Sequence, residues 1–333
     1  MSARKKILPI FIPHLGCPHA CVFCNQREIT GAEAERALAD LKELCRADHH
    51  DAELALYGGS FTALPRDEML GYLETAKGHF SSIRISTRPD AVSPEILQIL
   101  HAYGVGTVEL GAQSMRNSVL RLSGRGHTAE DVEHAADMVR SGGFHLVLQM
   151  MTGLPGDDDA GALESAKKMA ALQPDAMRIY PAVVVRGTKL EQLWRRGEYR
   201  EHTVEDAVRI CAQIWPVLEE RGIPVIRLGL NPTELLSAGG AAAGAYHPAL
   251  GELVRSRVLR NRSEALLSSL DCTGAEIRLL VRPELLSQMI GQKKCNIHWL
   301  TERFQLALLQ VSASSVPVGN EILIERCLRA FPV

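Results

Sequence analysis

At 333 residues with 46% apolar composition and a net charge of -2, the chain can bury one large core, or a core with a satellite domain. The near-neutral balance argues against a dedicated nucleic-acid coat, and no apolar run approaches the roughly 18 residues of a bilayer-spanning helix. The start lacks a signal-peptide apolar stretch and most cysteines are scattered, so a reducing, cytoplasmic setting away from any membrane is expected.

From residue 7 to about 228, short apolar runs alternate with longer amphipathic stretches, the pattern of repeated β/α units around a parallel sheet. Strands are expected at 7–13, 52–57, 83–86, 107–110, 146–150 and 176–180, with a seventh at 225–228 after a helix over 204–221. Each interval has room for a crossover helix, so the predicted class is α/β: an incomplete (β/α) barrel with a small C-terminal α/β domain. Three segments follow: the barrel over 1–235, a linker and basic helix over 236–274, and a small domain over 275–333 that is a candidate for RNA binding.

Directly after the first strand comes Cys17-Pro-His-Ala-Cys21-Val-Phe-Cys24, three thiols spaced C-x3-C-x2-C. Iron–sulfur clusters are held by cysteine thiolates, and three ligands leave one iron of a cubane without a protein sulfur, open to a small chelating ligand. Two other readings compete: a zinc site completed by His14 or His19, and three unconnected buried cysteines. Barrel chemistry gathers in the loops leaving the carboxyl ends of the strands, and here these loops are polar or glycine-rich in turn. They are Gly58-Gly-Ser-Phe-Thr62, Thr87-Arg-Pro-Asp90, Gly111-Ala-Gln-Ser114, Met151-Thr-Gly-Leu-Pro-Gly156 and Tyr180-Pro181. A glycine pair lets backbone approach a neighbour closely, while Gln, Ser and Arg offer hydrogen bonds to a ribose, an amino group or a carboxylate.

The cysteine spacing, with Phe23 before its last member, resembles the signature of the radical S-adenosylmethionine (SAM) superfamily. The ordered set that adds Tyr57-Gly-Gly-Ser-Phe-Thr62, Ser86-Thr-Arg-Pro-Asp90, Glu109-Leu-Gly-Ala-Gln-Ser114, Gly124-Arg-Gly-His-Thr128, Gly153-Leu-Pro-Gly156, Ile179-Tyr-Pro181 and Arg186-Gly-Thr-Lys-Leu190 resembles the radical domain of the Elongator catalytic subunit. That family modifies the wobble uridine of tRNA with a carboxymethyl-type group derived from acetyl-CoA. The resemblance implies a [4Fe–4S] cluster on Cys17, Cys21 and Cys24, S-adenosylmethionine as cofactor, an external electron donor and a tRNA partner. It also implies that Phe23 presents backbone to the adenine, and that Gly58, Gly59 and Ser60 meet the methionine amino group. Ser86, Arg88, Gln113 and Gln149 become candidates for ribose and carboxylate contacts. The chain departs from the family at Ser60, where many relatives have glutamate, and at Pro94, where the acyl-CoA-contacting lysine is expected. An acetyltransferase glycine loop is not read, and Gly239-Gly-Ala-Ala-Ala-Gly244 is expected to be a flexible connector.

Two basic segments make RNA thinkable: Arg186, Lys189, Arg195, Arg196 and Arg200 around Trp194 and Tyr199, and Arg255, Arg257, Arg260 and Arg262 on a helix. In the tail, strand, helix and strand alternate: 276–281, 283–290, 297–309 and 322–324. Its Gly291-Gln-Lys-Lys294 resembles the Gly-x-x-Gly loop of KH modules, with Lys294 in place of the second glycine. No residue stands out as catalytic acid or base; Glu109, Tyr180 and Arg186 are expected on the mouth of the barrel. The expected function is reductive cleavage of S-adenosylmethionine in the service of tRNA base modification. The alternatives are a radical enzyme on a small organic substrate, as in the coproporphyrinogen oxidase-like group, and a non-catalytic iron–sulfur or RNA-binding protein.

Overall fold

The computed structural model describes residues 6–25, 30, 33, 36–234, 236–316 and 322–327. They fall into two units, one of residues 1–210 with 217–248, the other of 211–216 with 249–333.

In the first unit seven strands form one parallel sheet: β1 (Lys6–Ile12), β2 (His49–Gly58), β3 (Phe80–Thr87), β4 (Val105–Gln113), β5 (His145–Thr152), β6 (Ala176–Pro181) and β8 (Val225–Leu228), in that order. β1 and β8 are the outer strands, and the sheet curls into a half-barrel. Because a parallel strand needs a crossover, helices lie between consecutive strands: Ala37–Leu44, Arg66–Ala76, Pro94–Ala102, Ala129–Ser141, Asp159–Ala171 and Val204–Glu219. Their starts are chemically marked. Ser93 Oγ accepts from Ile96 N at 3.3 Å, and Thr128 with Asp131 closes a reciprocal capping box. Residues 52–56 of β2 and most of β4 and β5 are buried because the helices cover one face and the barrel encloses the other; Leu54, Leu56, Val108, Leu110, Leu146 and Leu148 are each fully buried.

The segment expected to be a flexible connector is ordered: Ala241–Gly244 is strand β9, antiparallel to β7 (Val183–Val185) with Val184 opposite Ala243. Small side chains leave an extended backbone free to pair, and the buried β-branched run of β7 supplies the partner. Residues 236–248 therefore belong with the barrel, not with a linker, and the helix Leu250–Ser268 belongs with the C-terminal unit.

That second unit carries a three-stranded sheet ordered β11 (Leu308–Ala313), β10 (Glu276–Val281), β12 (Leu323–Cys327), with β10 and β11 parallel and β12 antiparallel. Ile277, Leu279, Val281, Met289 and Leu300 form its core with Leu259 and Leu267 of the long helix. The helix expected over 297–309 is shorter, Cys295–Arg303: Gln305 sits at φ 50°, a left-handed conformation that ends it, and the chain then enters β11.

Candidate functional site

The loop after β1 is shaped by two left-handed residues, His14 (φ 60°) and Gly16 (φ 69°), and is tied back by Cys17 N donating to His14 O at 3.2 Å. Cys24 N donates to Cys21 O at 3.1 Å, which turns Phe23 inward against Val119, Met151, Leu154 and Ala182. Val22 anchors the other side, buried with Val184, Leu190 and Tyr199. Cys17, Cys21 and Cys24 all line one cavity of about 1400 Å³ that runs through the barrel interior from His145 and Asp175 at the amino ends of the strands to Phe23 and Gly58 at the carboxyl ends. Burial raises the Cys17 thiol above its usual range; burial and then the neighbouring Cys21 and Cys17 push Cys24 up to about 12. Among the described residues no three His, Cys, Asp or Glu side chains converge on a single ion. A cubane spreads its cysteine ligands over different irons, so they need share only a wall.

The glycine pair serves chain packing. Gly59 N donates to Ile12 O at 2.9 Å, and a Cβ on Gly59 would run into the Leu15 carbonyl, so only glycine lets the second loop lie against the cysteine loop. Ser60 is fully buried off the cavity wall: its hydroxyl bonds Thr87 Oγ1 at 3.1 Å and accepts from Arg88 N at 3.3 Å. Arg88 faces the cavity, but its fork already holds Asp90, with Nε and Nη2 each at 2.9 Å. Against the opposing pull of burial, those bonds and the Arg88 charge lower the Asp90 pKa. Gln113 lies past a β-bulge at φ 66°, and its buried Oε1 has no partner among the described residues. Ser86 Oγ accepts from Gln149 Nε2 at 3.4 Å, and Gln149 also donates to Glu109 Oε2 at 2.9 Å.

Deeper in the same cavity lies an ionic network whose size the sequence reading missed. Glu109, fully buried, pairs with Arg84 Nη1 at 2.9 Å and Arg178 Nε at 2.9 Å; the Nε contact is misaligned for a hydrogen bond, but Arg178 Nη2 donates to Glu109 Oε1 at 3.0 Å. Tyr57 donates its hydroxyl to Glu109 at 3.0 Å and accepts from Arg178 at 2.7 Å; Glu53 takes the other edge of Arg84 at 2.9 Å. Burial and then the Glu109 charge raise the Tyr57 pKa, so the phenol stays protonated. The available signal was charged residues in the middle of apolar strands. Tyr180 lines the cavity as expected, whereas Arg186 is exposed, with Nε on Gly239 O at 2.5 Å.

Neither basic segment is a bare cationic stripe. Arg195 is paired to Glu191 at 2.7 Å and Arg196 to Glu198 at 2.7 Å; in the other unit Arg255 lies over Trp215 and Arg260 over Trp299.

Residues 11–169 match the radical SAM superfamily, and residues 174–260 the radical SAM C-terminal domain. The chain belongs to the radical SAM superfamily. A tRNA uridine(34) acetyltransferase of Methanocaldococcus infernus is 35% identical over 146 residues, 42% of this chain and 27% of that protein. Elongator complex protein 3 of Homo sapiens is 32% identical over 258 residues, 61% of this chain and 47% of the human protein. Among solved structures, the Elp3 protein of Methanocaldococcus infernus superposes with a TM-score of 0.59 at 21% identity, over 78% of this chain and 64% of that one. The chain thus spans 27% to 47% of these two curated relatives. Radical SAM proteins use a [4Fe–4S] cluster and S-adenosylmethionine. No helix among the described residues is long and apolar enough to cross a membrane.

Proposed function

We propose that this chain is a radical SAM enzyme whose cluster is held by Cys17, Cys21 and Cys24 and whose substrate is a tRNA base. The observation that carries the reading is the placement of three thiols, from the loop at the carboxyl end of β1, on the wall of a large cavity that runs through a parallel half-barrel. Loaded on Cys17, Cys21 and Cys24, the cluster would supply S-adenosylmethionine with one electron, drawn from an external donor, and the pair would provide radical hydrogen-atom abstraction from substrate. The chain supplies ligands, orientation and exclusion of water.

The donor set fits that cofactor pair. Thiols with raised pKa values stay protonated until metal displaces the proton, so loading releases protons and is favoured at higher pH. Gln113 offers a buried, unpartnered acceptor oxygen to a ribose hydroxyl or amino group, and Ser86 and Gln149 lie on the same wall. With the Ser60 hydroxyl already bonded, the methionine amino group is met by backbone around Gly58 and Gly59; with Asp90 in its fork, Arg88 acts as a structural clamp.

The name of the Methanocaldococcus infernus relative, a tRNA uridine(34) acetyltransferase, supports tRNA as the substrate. A gel-shift assay with bulk tRNA tests it: salt-sensitive retardation is expected, and no retardation at low salt overturns it. A second reading, a small carboxylate- or phosphate-bearing substrate, is favoured by Arg227. It lines the cavity half-buried, its one side-chain hydrogen bond among the described residues goes from Nε to Gly229 O at 3.0 Å, and burial lowers its pKa. Copurification of a metabolite without RNA would favour that reading.

A further inference from the structure

The motif Gly124-Arg-Gly-His-Thr128 has no chemistry in the reading above, yet it is wrapped around the cysteine loop. Val22 N donates to Ser123 O at 3.0 Å, and a Cβ on Gly126, at φ 76°, would run into the His19 ring. Between these contacts lies Arg125, 8% exposed, with Nη1 donating to Cys21 Sγ at 3.2 Å and Nη2 to Gly111 O at 2.6 Å. Its backbone is fastened at both ends: Arg125 N donates to Leu120 O at 3.0 Å, and Arg125 O accepts from Arg88 Nη2 at 2.5 Å. Asp90 in turn holds Arg88 through two bonds of 2.9 Å. No carboxylate pairs with Arg125 among the described residues, so its charge is directed at the sulfur and one carbonyl.

We propose that Arg125 is a redox-positioning residue: a charge-assisted donor to the Cys21 sulfur that raises the reduction potential of the cluster held by this loop, with Asp90 and Arg88 fixing its place. The proposal rests on the reading that Cys17, Cys21 and Cys24 are the ligands. One-electron reduction by an external low-potential donor adds a negative charge to the cluster and its thiolates. A fixed cation and an N–H···S bond in a water-poor site stabilise the reduced form more than the oxidised form, and hydrogen bonds to the sulfurs are a principal determinant of cluster potential. A strap that only shaped the loop would need the two glycines and the backbone bonds, not a guanidinium against sulfur. It would leave the potential of an assembled cluster unchanged.

The test is an anaerobic potentiometric titration of reconstituted full-length protein, reduced with dithionite and followed by paramagnetic resonance, with iron content measured in parallel. At equal iron, Arg125→Gln should lower the reduced-to-oxidised ratio at a fixed potential by about tenfold or more, a midpoint drop of about 59 mV for a one-electron couple. Arg125→Lys, which keeps charge but not the fork, should fall between, and Asp90→Asn should shift in the same direction by less. A fully loaded Arg125→Gln protein with less than about a twofold change, about 18 mV, overturns the proposal. Should Arg125→Gln bind less iron, Arg125→Lys decides: a lowered midpoint at full iron supports the proposal, and one equal to or above the wild type overturns it. A wild-type protein that assembles no cluster overturns the ligand reading itself, whereas a normal wild-type cluster with unmoved variants overturns only the role of Arg125.

Discussion

Replacing Glu109 by glutamine preserves side-chain volume and removes one charge from the barrel interior, where the carboxylate is fully buried. The loss falls unevenly on its partners. Arg84 keeps Glu53 at 2.9 Å, while Arg178, with Glu109 as its ion-pair partner, is left with uncharged phenols, the Tyr57 hydroxyl at 2.7 Å and that of Tyr180. Stranding one member of a buried ion pair costs about 3–5 kcal/mol, against a total folding free energy of roughly 5–15 kcal/mol. With a urea m-value of about 3 kcal/mol/M, the barrel's unfolding midpoint should fall by about 1–1.7 M, read by far-ultraviolet circular dichroism. Removing the stranded partner as well, in Glu109→Gln with Arg178→Met, should recover part of the loss through a coupling energy of about 0.5–3 kcal/mol. A Glu109→Gln midpoint within about 0.3 M of wild type, or a double variant no better than the sum of its singles, would show that the network does not balance its charges as described.

Three further outcomes follow from the same geometry. His127 is 3% exposed, donates Nε2–H to Ala112 O at 3.2 Å, and is pushed down to about 4 by burial and then by the Arg125 charge. Its folded-state pKa lies below its unfolded one, so its contribution is complete above pH 6.5 and about 3 kcal/mol is lost as pH falls toward about 4. Asp157, raised to about 6 mainly by burial, works in the opposite sense, so the His127→Gln difference curve is the quantity to follow: it should flatten the slope, and an unchanged slope would contradict the assignment. Gly59→Ala places a methyl on the Leu15 carbonyl; it should reduce iron loading while leaving the helical content intact, and full loading would refute the packing argument. Gln113→Ala should weaken S-adenosylmethionine binding by about tenfold, the equivalent of about 1.4 kcal/mol for one buried hydrogen bond, measured by calorimetry on the loaded protein.

The barrel was largely legible because a buried parallel strand needs a run of apolar residues and leaves its chemistry in the loop that follows. The expected strand at 225–228 coincides with β8, and the other six fall within a few residues of β1 to β6. What stayed hidden depends on contacts distant in sequence. Arg125 meets Cys21 across 104 positions and Arg178 meets Tyr57 across 121, distances over which local pattern carries no information. β9 was unreadable for another reason: a run of alanines and glycines has no strand propensity of its own and is ordered by its partner β7. Pattern alone also does not show that the Ser60 hydroxyl is bonded to Thr87, or that Asp90 holds Nε and Nη2 of Arg88.

The central claim is that three sulfurs on one loop hold a cubane with a free iron, and anaerobic iron–sulfide reconstitution tests it most directly. The account predicts a brown protein with a paramagnetic signal after reduction, release of 5′-deoxyadenosine from S-adenosylmethionine, and loss of all three properties in Cys17→Ala, Cys21→Ala and Cys24→Ala. A colourless, zinc-only wild-type protein, or undiminished 5′-deoxyadenosine from any of the three variants, would contradict it.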